Sequence, residues 1–277
     1  MEISSNVYFN RWQKIKLVAG CPPDCFTEDG QLWGNPVYDW KYQKENGYKF
    51  WNQRIYKSFE LYDYLRIDHF RGFDRFYAIE AGYTNARIGQ WLDGPKFDLF
   101  KDKKDLKIVA EDLGFIDEGV KLLMKQTNYP GMKILEFAFD GNIDNEHKPT
   151  NCLENFVIYT GTHDNMPLYQ YILDQDSESL TRMKKDIKLQ CDALNVSFKG
   201  VNCSKSITKK ITELAFASLA NTCIIPIQDL LCLDVSSRMN LPATVSTNNW
   251  SYRVLKSQLS DKLSQRVKDL VIKYNRC

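Results

Sequence analysis

The sequence lacks an excess of charge of either sign. Its 277 residues carry 37 lysines and arginines against 35 aspartates and glutamates, so the formal net charge is only +2. Like charges are not gathered into blocks, and composition therefore gives no argument for nucleic acid or an anionic membrane as a partner. The hydrophobic content of 43% instead fits a globular protein that buries a sizeable core.

Long apolar runs are also absent. The amino-terminal stretch, MEISSNVYFNRWQKIKL, contains neither the apolar segment nor the small-residue cleavage site of a secretory signal. No later run approaches the roughly 20 residues that a membrane-spanning helix requires. We therefore expect a cytoplasmic protein.

Cysteine is present but is not arranged as a disulfide framework or a metal site. The 8 cysteines are scattered along a chain that is too large to depend on disulfides, so we expect reduced thiols. The closest pair, Cys21 and Cys25, has no matching Cys/His pair downstream at the spacing of zinc ligands. The sequence therefore predicts no metal centre.

What the sequence does contain is an alternation of short apolar runs with amphipathic helical stretches, which is typical of α/β proteins. The runs are short, and several are rich in β-branched residues, so we interpret them as buried, parallel strands. They cover residues 65–67, 107–110, 132–137, 156–159 and 222–225.

Residues 20–48 interrupt this alternation. Turn-forming pairs such as Asp29-Gly30 and Asn46-Gly47 are interleaved there with aromatic residues such as Trp33 and Trp40. We interpret the segment as a long structured loop rather than a linker. Its rings either pack on one another or offer flat apolar faces to a ligand such as a sugar, and both interpretations stay open.

Acidic residues follow three of the apolar runs. Asp68 and Glu111 come directly after the first two runs, and Asp164 lies a few residues beyond the fourth. Because the carboxyl ends of parallel strands meet at one rim of a sheet or barrel, we expect these carboxylates to converge. Each could alternatively have a structural role, with Asp68 and Asp164 capping helices and Glu111 pairing with a surface arginine.

Paired carboxylates of opposite protonation are what the cleavage of a glycosidic bond requires. One is ionised and attacks the anomeric carbon, and the other is protonated and releases the leaving oxygen. Arg66 precedes Asp68 by two residues, on the same strand face, and can hold that carboxylate ionised. Of the 3 histidines, His69 and His163 stand beside these acids. A third carboxylate such as Asp164 can hydrogen-bond the hydroxyls of a distorted sugar.

At these positions the sequence resembles the 4-α-glucanotransferase family, also called amylomaltases or disproportionating enzymes, which are related to the α-amylases. The resemblance spans nearly the whole chain and rests on motifs that occur in the family's order. They are Val18-Ala-Gly-Cys-Pro-Pro-Asp24, Gly30-Gln-Leu-Trp-Gly-Asn-Pro-Val-Tyr-Asp39, Arg66-Ile-Asp-His-Phe-Arg-Gly72, Ala110-Glu-Asp-Leu-Gly114, Pro130-Gly-Met132, Tyr159-Thr-Gly-Thr-His-Asp-Asn165 and Arg238-Met-Asn240.

The resemblance implies a role for each acid. Asp68 corresponds to the nucleophile, Glu111 to the general acid/base and Asp164 to the transition-state stabiliser. Substrate contacts are implied for Arg66, His69, His163, Gln31, Trp33, Phe137 and Asn249. For Phe137, a structural aromatic that lines the barrel is an equally good interpretation.

The fold that the resemblance implies is a TIM-type (β/α)8 barrel of the α-amylase superfamily, with 1–277 as a single catalytic domain and 18–48 as an active-site loop. Family members have early strands and sugar-binding insertions before the block that begins here at Val18. We therefore expect an incomplete barrel that contains strands four to eight and has two unpaired edges. A missing amino-terminal polypeptide segment would complete it.

The implied function is disproportionation of maltooligosaccharides, in which α-1,4-glucan segments are transferred through a covalent intermediate on Asp68. No metal or organic cofactor is required, because carboxylates supply both the proton transfer and the nucleophile. Hydrolysis of α-1,4-glucans is an alternative, since the pattern does not show whether water is excluded. The incomplete barrel leaves two more open: a non-catalytic glucan-binding remnant or subunit, and a structural protein whose motifs no longer bind sugar.

Overall fold

The computed structural model describes residues 15–23, 27–114, 116–242 and 244–276. Asp24 and Cys25, which belong to the first motif and to the cysteine pair considered above, lie outside these ranges. The chain divides into two compact units, Met1–Gly131 and Met132–Cys277. Among the helices in the described ranges, none combines the length and the apolar character that crossing a membrane requires.

The first unit is built from short strands and helices, with 3-10 helices at Phe70–Phe73 and Lys96–Leu99. In chain order the strands and α-helices are β1 (Leu17–Cys21), β2 (Gln31–Pro36), α1 (Trp40–Glu45), α2 (Lys49–Phe59), β3 (Leu65–Ile67), β4 (Arg75–Glu80), β5 (Gln90–Asp93), β6 (Ile108–Ala110) and α3 (Glu118–Thr127).

These strands form two sheets. β3 and β6 pair in parallel, with Leu65 opposite Ile108 and Ile67 opposite Ala110, which confirms the first two predicted strands. The other sheet has the order β2-β1-β4-β5, and the pairings of β1 with β2, of β1 with β4 and of β4 with β5 are antiparallel. The apolar runs of the sequence did not predict this antiparallel sheet.

Residues 20–48 are more regular than expected, because they contain β2, α1 and the end of β1. A Cβ at Gly20 would lie 2.4 Å from the Gln31 carbonyl oxygen, so this glycine permits the close pairing of β1 and β2 rather than a turn. Helix α1 begins where the Asp39 side chain accepts the Tyr42 N–H at 3.0 Å. The prediction of one continuous loop is therefore wrong for these positions.

Aromatic rings of the same segment pack on one another. The ring centroid of Tyr38 lies 5.4 Å from that of Trp40 and 5.2 Å from that of Trp51. Trp40 in turn lies 5.8 Å from Phe73, which is buried in the core of this unit. The packing interpretation therefore holds for Tyr38 and Trp40, whereas Trp33 is 37% exposed.

The second unit contains most of the α-helix that the described residues form. Its elements, in chain order, are β7 (Gly131–Ile134), β8 (Phe156–Tyr159), α4 (Leu168–Leu173), α5 (Ser177–Ala193), α6 (Ser204–Ala217), β9 (Thr222–Ile224), α7 (Ile227–Leu231) and α8 (Asp261–Lys273). The strands form one sheet in the order β7-β8-β9, and β8 and β9 are parallel. Helix α6 buries Ile207, Ile211 and Leu214 completely, as its apolar spacing predicts.

Two of the predicted strands in this unit differ from the structure. The run at 132–137 forms a strand only as far as Ile134, and Leu135–Phe137 is a 3-10 helix. A buried helical turn and a buried strand give the same apolar run, so the pattern could not separate them. β9 is an edge strand of the described sheet, and its Ile224 is 45% exposed, so the expectation of burial is wrong there.

A buried ion pair ties α5 to the chain that follows β7. Lys148 Nζ lies 2.6 Å from Asp186 Oδ1, and both side chains are 3% exposed. Asp186 Oδ2 also accepts the Gly141 N–H at 3.1 Å. Because a charge left alone in a buried site is costly, each partner depends on the other.

We expect Asp186→Asn to reduce the free energy of unfolding by about 3 kcal/mol, since it leaves the Lys148 charge buried without its counterion. Urea denaturation measures this difference. Asp269→Asn on α8 is the matched control, because Asp269 is exposed and bonds only Gln265 in the described structure. The control should change stability by less than about 0.5 kcal/mol. Equal effects of the two substitutions would contradict the importance of the buried pair.

Candidate active site

Glu111 follows β6 directly and is held by backbone groups. Its Oε2 accepts the His69 N–H at 2.7 Å, and its Oε1 accepts the Leu113 N–H at 2.8 Å. Burial raises the pKa of Glu111 above its ordinary value, and the Asp68 charge acts in the same direction, although the N–H bonds from Leu113 and His69 lower it. A carboxyl group that keeps its proton to a higher pH than usual suits a general acid.

Asp68 has the opposite environment. Its side chain is 77% exposed, and its Oδ1 lies 2.7 Å from Nη1 of Arg66, as the spacing along β3 predicts. The positive charge of the guanidinium therefore lies directly beside an exposed carboxylate. Asp68 and Glu111 therefore form a pair in which one acid is exposed beside a cation and the other is desolvated.

The alternative structural roles, a helix cap for Asp68 and a surface arginine partner for Glu111, do not match the contacts of these two acids. The 3-10 helix Phe70–Phe73 has His69 at its amino-terminal cap and no side-chain capping bond, so Asp68 does not cap it. The hydrogen bonds that Glu111 accepts in the described structure come from the backbone N–H groups of His69 and Leu113 rather than from a surface arginine. Their catalytic roles remain predictions.

His69 joins this pair to β2. Its backbone is left-handed, with φ of 47°, which turns its N–H toward Glu111. The His69 ring meets the ring of Trp33 edge to face at a centroid distance of 4.9 Å. Trp33 Nε1–H donates to Gln31 Oε1 at 3.1 Å. The structure therefore brings Gln31, Trp33, His69 and Glu111 together in the first unit.

The His69 ring is held close to the backbone. A Cβ at Gly72 would lie 2.9 Å from His69 Cδ2, so only glycine leaves the ring where it is. Burial lowers the pKa of His69, and Arg71 lowers it further, although the Asp68 charge raises it. A neutral imidazole at this place can accept or donate a hydrogen bond.

Asp164 lies in the second unit, where residues that follow the 3-10 helix Val235–Ser237 donate hydrogen bonds to it. Its Oδ1 accepts Asn240 Nδ2 at 2.6 Å, its backbone oxygen accepts Arg238 Nη2 at 2.7 Å, and its Oδ2 lies 3.3 Å from His163 Nε2. Helix α4 has Pro167 at its cap, so Asp164 is not its capping residue.

Phe137 and Asn249 have local contacts. Phe137 is 45% exposed, and its ring lies 5.6 Å from that of His147. Asn249 accepts the Leu241 N–H at 3.1 Å and so shapes its own loop. Their role in binding substrate stays a prediction.

The predicted triad is divided between the two units. Asp68 and Glu111 belong to the first, and Asp164 belongs to the second. The convergence of all three carboxylates on one rim therefore stays a prediction. Among the described residues, no cluster of three or more histidine, cysteine or acidic side chains is placed to hold a metal ion.

Sequence reasoning missed several residues that support Asp164. Arg238 and Asn240 lie in a motif that was recognised, but their contacts with Asp164 could not be read from it. Glu136 is only 8% exposed and accepts Asn165 Nδ2 at 3.1 Å. An acid inside the apolar run 132–137 was the available signal for it. Burial raises the pKa of Glu136 to about 7.

A second buried acid lies near the same loop. Asp229 on α7 is 2% exposed, accepts Thr160 Oγ1–H at 2.5 Å and accepts the Leu168 N–H at 2.8 Å. Burial raises the pKa of Asp229 to about 6. A cavity of about 210 Å³ lies beside it, lined by residues of 161–167 and of 226–239.

The fold is that of a class of α/β barrel proteins, the amylomaltases. An amylomaltase from Streptococcus agalactiae, solved in complex with acarbose, matches with a TM-score of 0.87 and 36% identity over 98% of this chain and 53% of that chain. The amylomaltase from Corynebacterium glutamicum matches with a TM-score of 0.79 over 97% of this chain and 43% of its own, at 17% identity. The second likeness concerns the fold alone.

Relatives are also evident from sequence. The 4-alpha-glucanotransferase of Streptococcus pneumoniae serotype 4 is 38% identical over 271 residues, which are 95% of this chain and 50% of the relative. The chloroplastic/amyloplastic 4-alpha-glucanotransferase DPE1 of Arabidopsis thaliana is 41% identical over 267 residues, 94% of this chain and 44% of the relative. The family model for 4-alpha-glucanotransferases of glycoside hydrolase family 77 matches residues 2–258.

The chain belongs to the 4-alpha-glucanotransferase family, so the resemblance and the fold class inferred from its motifs are confirmed. The chain spans about half the length of the curated relatives it matches.

We expect Gly72→Ala to displace the His69 ring, because the new methyl group would overlap Cδ2. With only 3 histidines in the chain, the ring-proton NMR signals can be assigned individually. The His69 signals should move, and those of His147, which contacts Phe137, serve as the internal reference. Unchanged His69 signals would show that Gly72 does not set the ring position.

The protonation of Glu136 predicts a pH-dependent stability. The pKa of Glu136 in the folded chain, about 7, lies above the ordinary 4.5. Its contribution to the free energy of unfolding is therefore complete below pH 4.5 and is lost as the pH rises through 7. The charged or titratable neighbours that affect it are Asp229, Arg238 and Tyr171. Relative to Glu136→Gln, which does not titrate, the wild-type chain should lose up to about 3 kcal/mol of unfolding free energy over this range. Denaturant titrations of both proteins at several pH values measure the difference, which should not stay constant.

Proposed function

We propose that the chain acts in the transfer of α-1,4-glucan segments between maltooligosaccharides, by a retaining double displacement. The observation that carries this proposal is the pair formed by Asp68 and Glu111. One carboxylate is exposed and ion-paired with Arg66, and the other is desolvated with a raised pKa. Retaining cleavage of a glycosidic bond needs this division between a nucleophile and a proton donor.

In the first half-reaction, Asp68 attacks the anomeric carbon and forms a covalent glucosyl ester. Glu111 donates its proton to the departing 4-oxygen of the leaving chain, and the bond between that oxygen and the anomeric carbon breaks. In the second half, the ionised Glu111 takes the proton of an incoming 4-hydroxyl, which attacks the same carbon and releases Asp68. Glu111 thus donates one proton in the first half-reaction and regains one in the second.

The other predicted residues have roles that fit their positions. Arg66 forms an ion pair with Asp68, and His69 donates its backbone N–H to Glu111 and presents its ring beside Trp33. Trp33 and Gln31 on β2 would contact the sugar with an indole face and an amide. We assign Phe137 and Asn249 to the acceptor side as part of the same proposal.

Asp164 would hydrogen-bond the hydroxyls of the distorted sugar as positive charge develops on the ring. Its Oδ1 is oriented by Asn240, and His163 lies beside its Oδ2, within ring contact of Trp250 at 5.1 Å. The amylomaltase from Streptococcus agalactiae was solved with acarbose, which makes acarbose a suitable probe for this chain. A cytoplasmic location belongs to this proposal.

The decisive assay incubates the chain with maltotriose and separates the products. Transfer yields glucose together with oligomers longer than maltotriose, because the glucosyl ester is resolved by another sugar. Glucose and maltose without longer oligomers would instead indicate hydrolysis. Saturable thermal stabilisation by acarbose without any turnover would indicate a glucan-binding protein.

Asp68→Asn should lower the transfer rate by at least about a thousandfold, because an amide cannot form the ester. Asp63→Asn is the matched control, since Asp63 is an exposed carboxylate at the other end of β3. The control should stay within about twofold of the wild-type rate, as expected for an exposed site remote from the chemistry. Full activity of Asp68→Asn would remove the nucleophile assignment.

A further inference from the structure

The loop 160–168, which carries Asp164, is hydrogen-bonded to two buried acids, Asp229 and Glu136. Asp229 accepts hydrogen bonds from Thr160 and Leu168, which stand at the two ends of the loop 160–168. Glu136 accepts from Asn165, near the middle of the loop. Both acids are buried, and neither belongs to the predicted set of catalytic or substrate-binding residues.

A chain of hydrogen bonds leads from Glu136 to the backbone of Asp164. Asn165 uses its amide nitrogen to donate to Glu136 Oε1 at 3.1 Å. Its amide oxygen accepts both the N–H and the Oγ1–H of Thr162 at 2.8 Å. Thr162 Oγ1 in turn accepts the Asp164 N–H at 3.3 Å. The Thr162 backbone N–H can only donate, so it fixes the orientation of the Asn165 amide and leaves Nδ2 facing Glu136.

The second oxygen of Glu136 is the unusual feature. Oε2 is buried and has no hydrogen-bond partner among the described residues. An unsatisfied buried oxygen is costly, and more so if it is charged. Gly161 lies next to it, since a Cβ there would be 3.7 Å from Oε2. Among the described residues, the side chain of this buried acid therefore accepts a hydrogen bond only from Asn165.

We propose that Glu136 is a positioning residue for Asp164, which it holds through Asn165 and Thr162. The inference rests on the proposed function, because it assigns Asp164 a part in the reaction. The bond to Asn165 needs only an acceptor at Oε1, so the neutral acid is sufficient. A pKa raised by burial to about 7 agrees with a neutral acid in this place. The same requirement is met by glutamine.

The test compares Glu136→Ala with Glu136→Gln in the full chain. Hydrogen–deuterium exchange measures the order of the loop 160–168, and maltotriose transfer gives kcat and KM. Glu136→Ala should increase deuterium uptake in the loop and lower kcat about ten- to a hundredfold, with KM changed by less than about threefold, because a shift of about 1 Å in a catalytic group has such an effect. Glu136→Gln should restore wild-type exchange and keep kcat within about threefold.

Two further variants separate positioning from general loss of stability. Asp186→Asn removes a buried carboxylate elsewhere in the second unit, and should lower stability without changing kcat below its melting temperature. In the cycle of Glu136→Ala, Asn165→Ala and the double variant, the losses in kcat should not multiply, since both residues act along one chain of bonds.

Several outcomes would overturn the inference. They are wild-type loop exchange in Glu136→Ala, a kcat for Glu136→Gln as low as for Glu136→Ala, an equal loss in Asp186→Asn, or independent, multiplying losses in the cycle. If the wild-type chain does not transfer glucan, the proposed function fails, and loop exchange alone then decides whether Glu136 orders the loop 160–168. The two failures are therefore distinguishable.

Discussion

The bond between the His69 N–H and the Glu111 carboxylate is the interaction on which the candidate site of the first unit depends. It exists because β3 and β6 pair in parallel, with Ile67 opposite Ala110, so that the residues after both strands emerge side by side. The left-handed backbone at His69 directs the N–H, and the missing side chain at Gly72 leaves room for the imidazole. The position of the Glu111 carboxyl group thus depends on the register of β3 and β6, on the left-handed backbone of His69 and on Gly72.

The position of the Glu111 carboxyl group also determines the direction of its pKa shift. The packing that holds Glu111 removes it from water and raises its pKa, whereas Asp68, one position before His69, stays exposed beside Arg66. Burial is the largest cause of the raised Glu111 pKa, and the hydrogen bonds that hold the carboxylate in place act against it. In the second unit the same physics acts on Glu136 and Asp229, which are buried and accept hydrogen bonds from the loop 160–168.

The sequence predicted those parts of the fold in which side-chain chemistry follows a regular spacing. The strands β3, β6 and β8, the apolar face of α6 and the ion pair of Arg66 with Asp68 all follow from local patterns. The antiparallel sheet did not, because Gly20, which permits the close pairing of β1 with β2, adds no apolar side chain to the pattern. The 3-10 helix after β7 did not either, since its buried residues continue an apolar run.

What remained beyond the sequence was the identity of long-range partners. Glu136 stands out as an acid in an apolar run, yet its partner Asn165 lies in a loop that only the neighbouring positions of β7 and β8 bring within reach. Asn240 was visible in a motif, and its bond to Asp164 spans an even longer separation. Spacing within one strand can be read from sequence because the backbone geometry is fixed. Spacing between loops depends on how strands are ordered in the sheet, and this is why the ion pair of Arg66 with Asp68 was predictable while the bonds of Glu136 with Asn165 and of Asn240 with Asp164 were not.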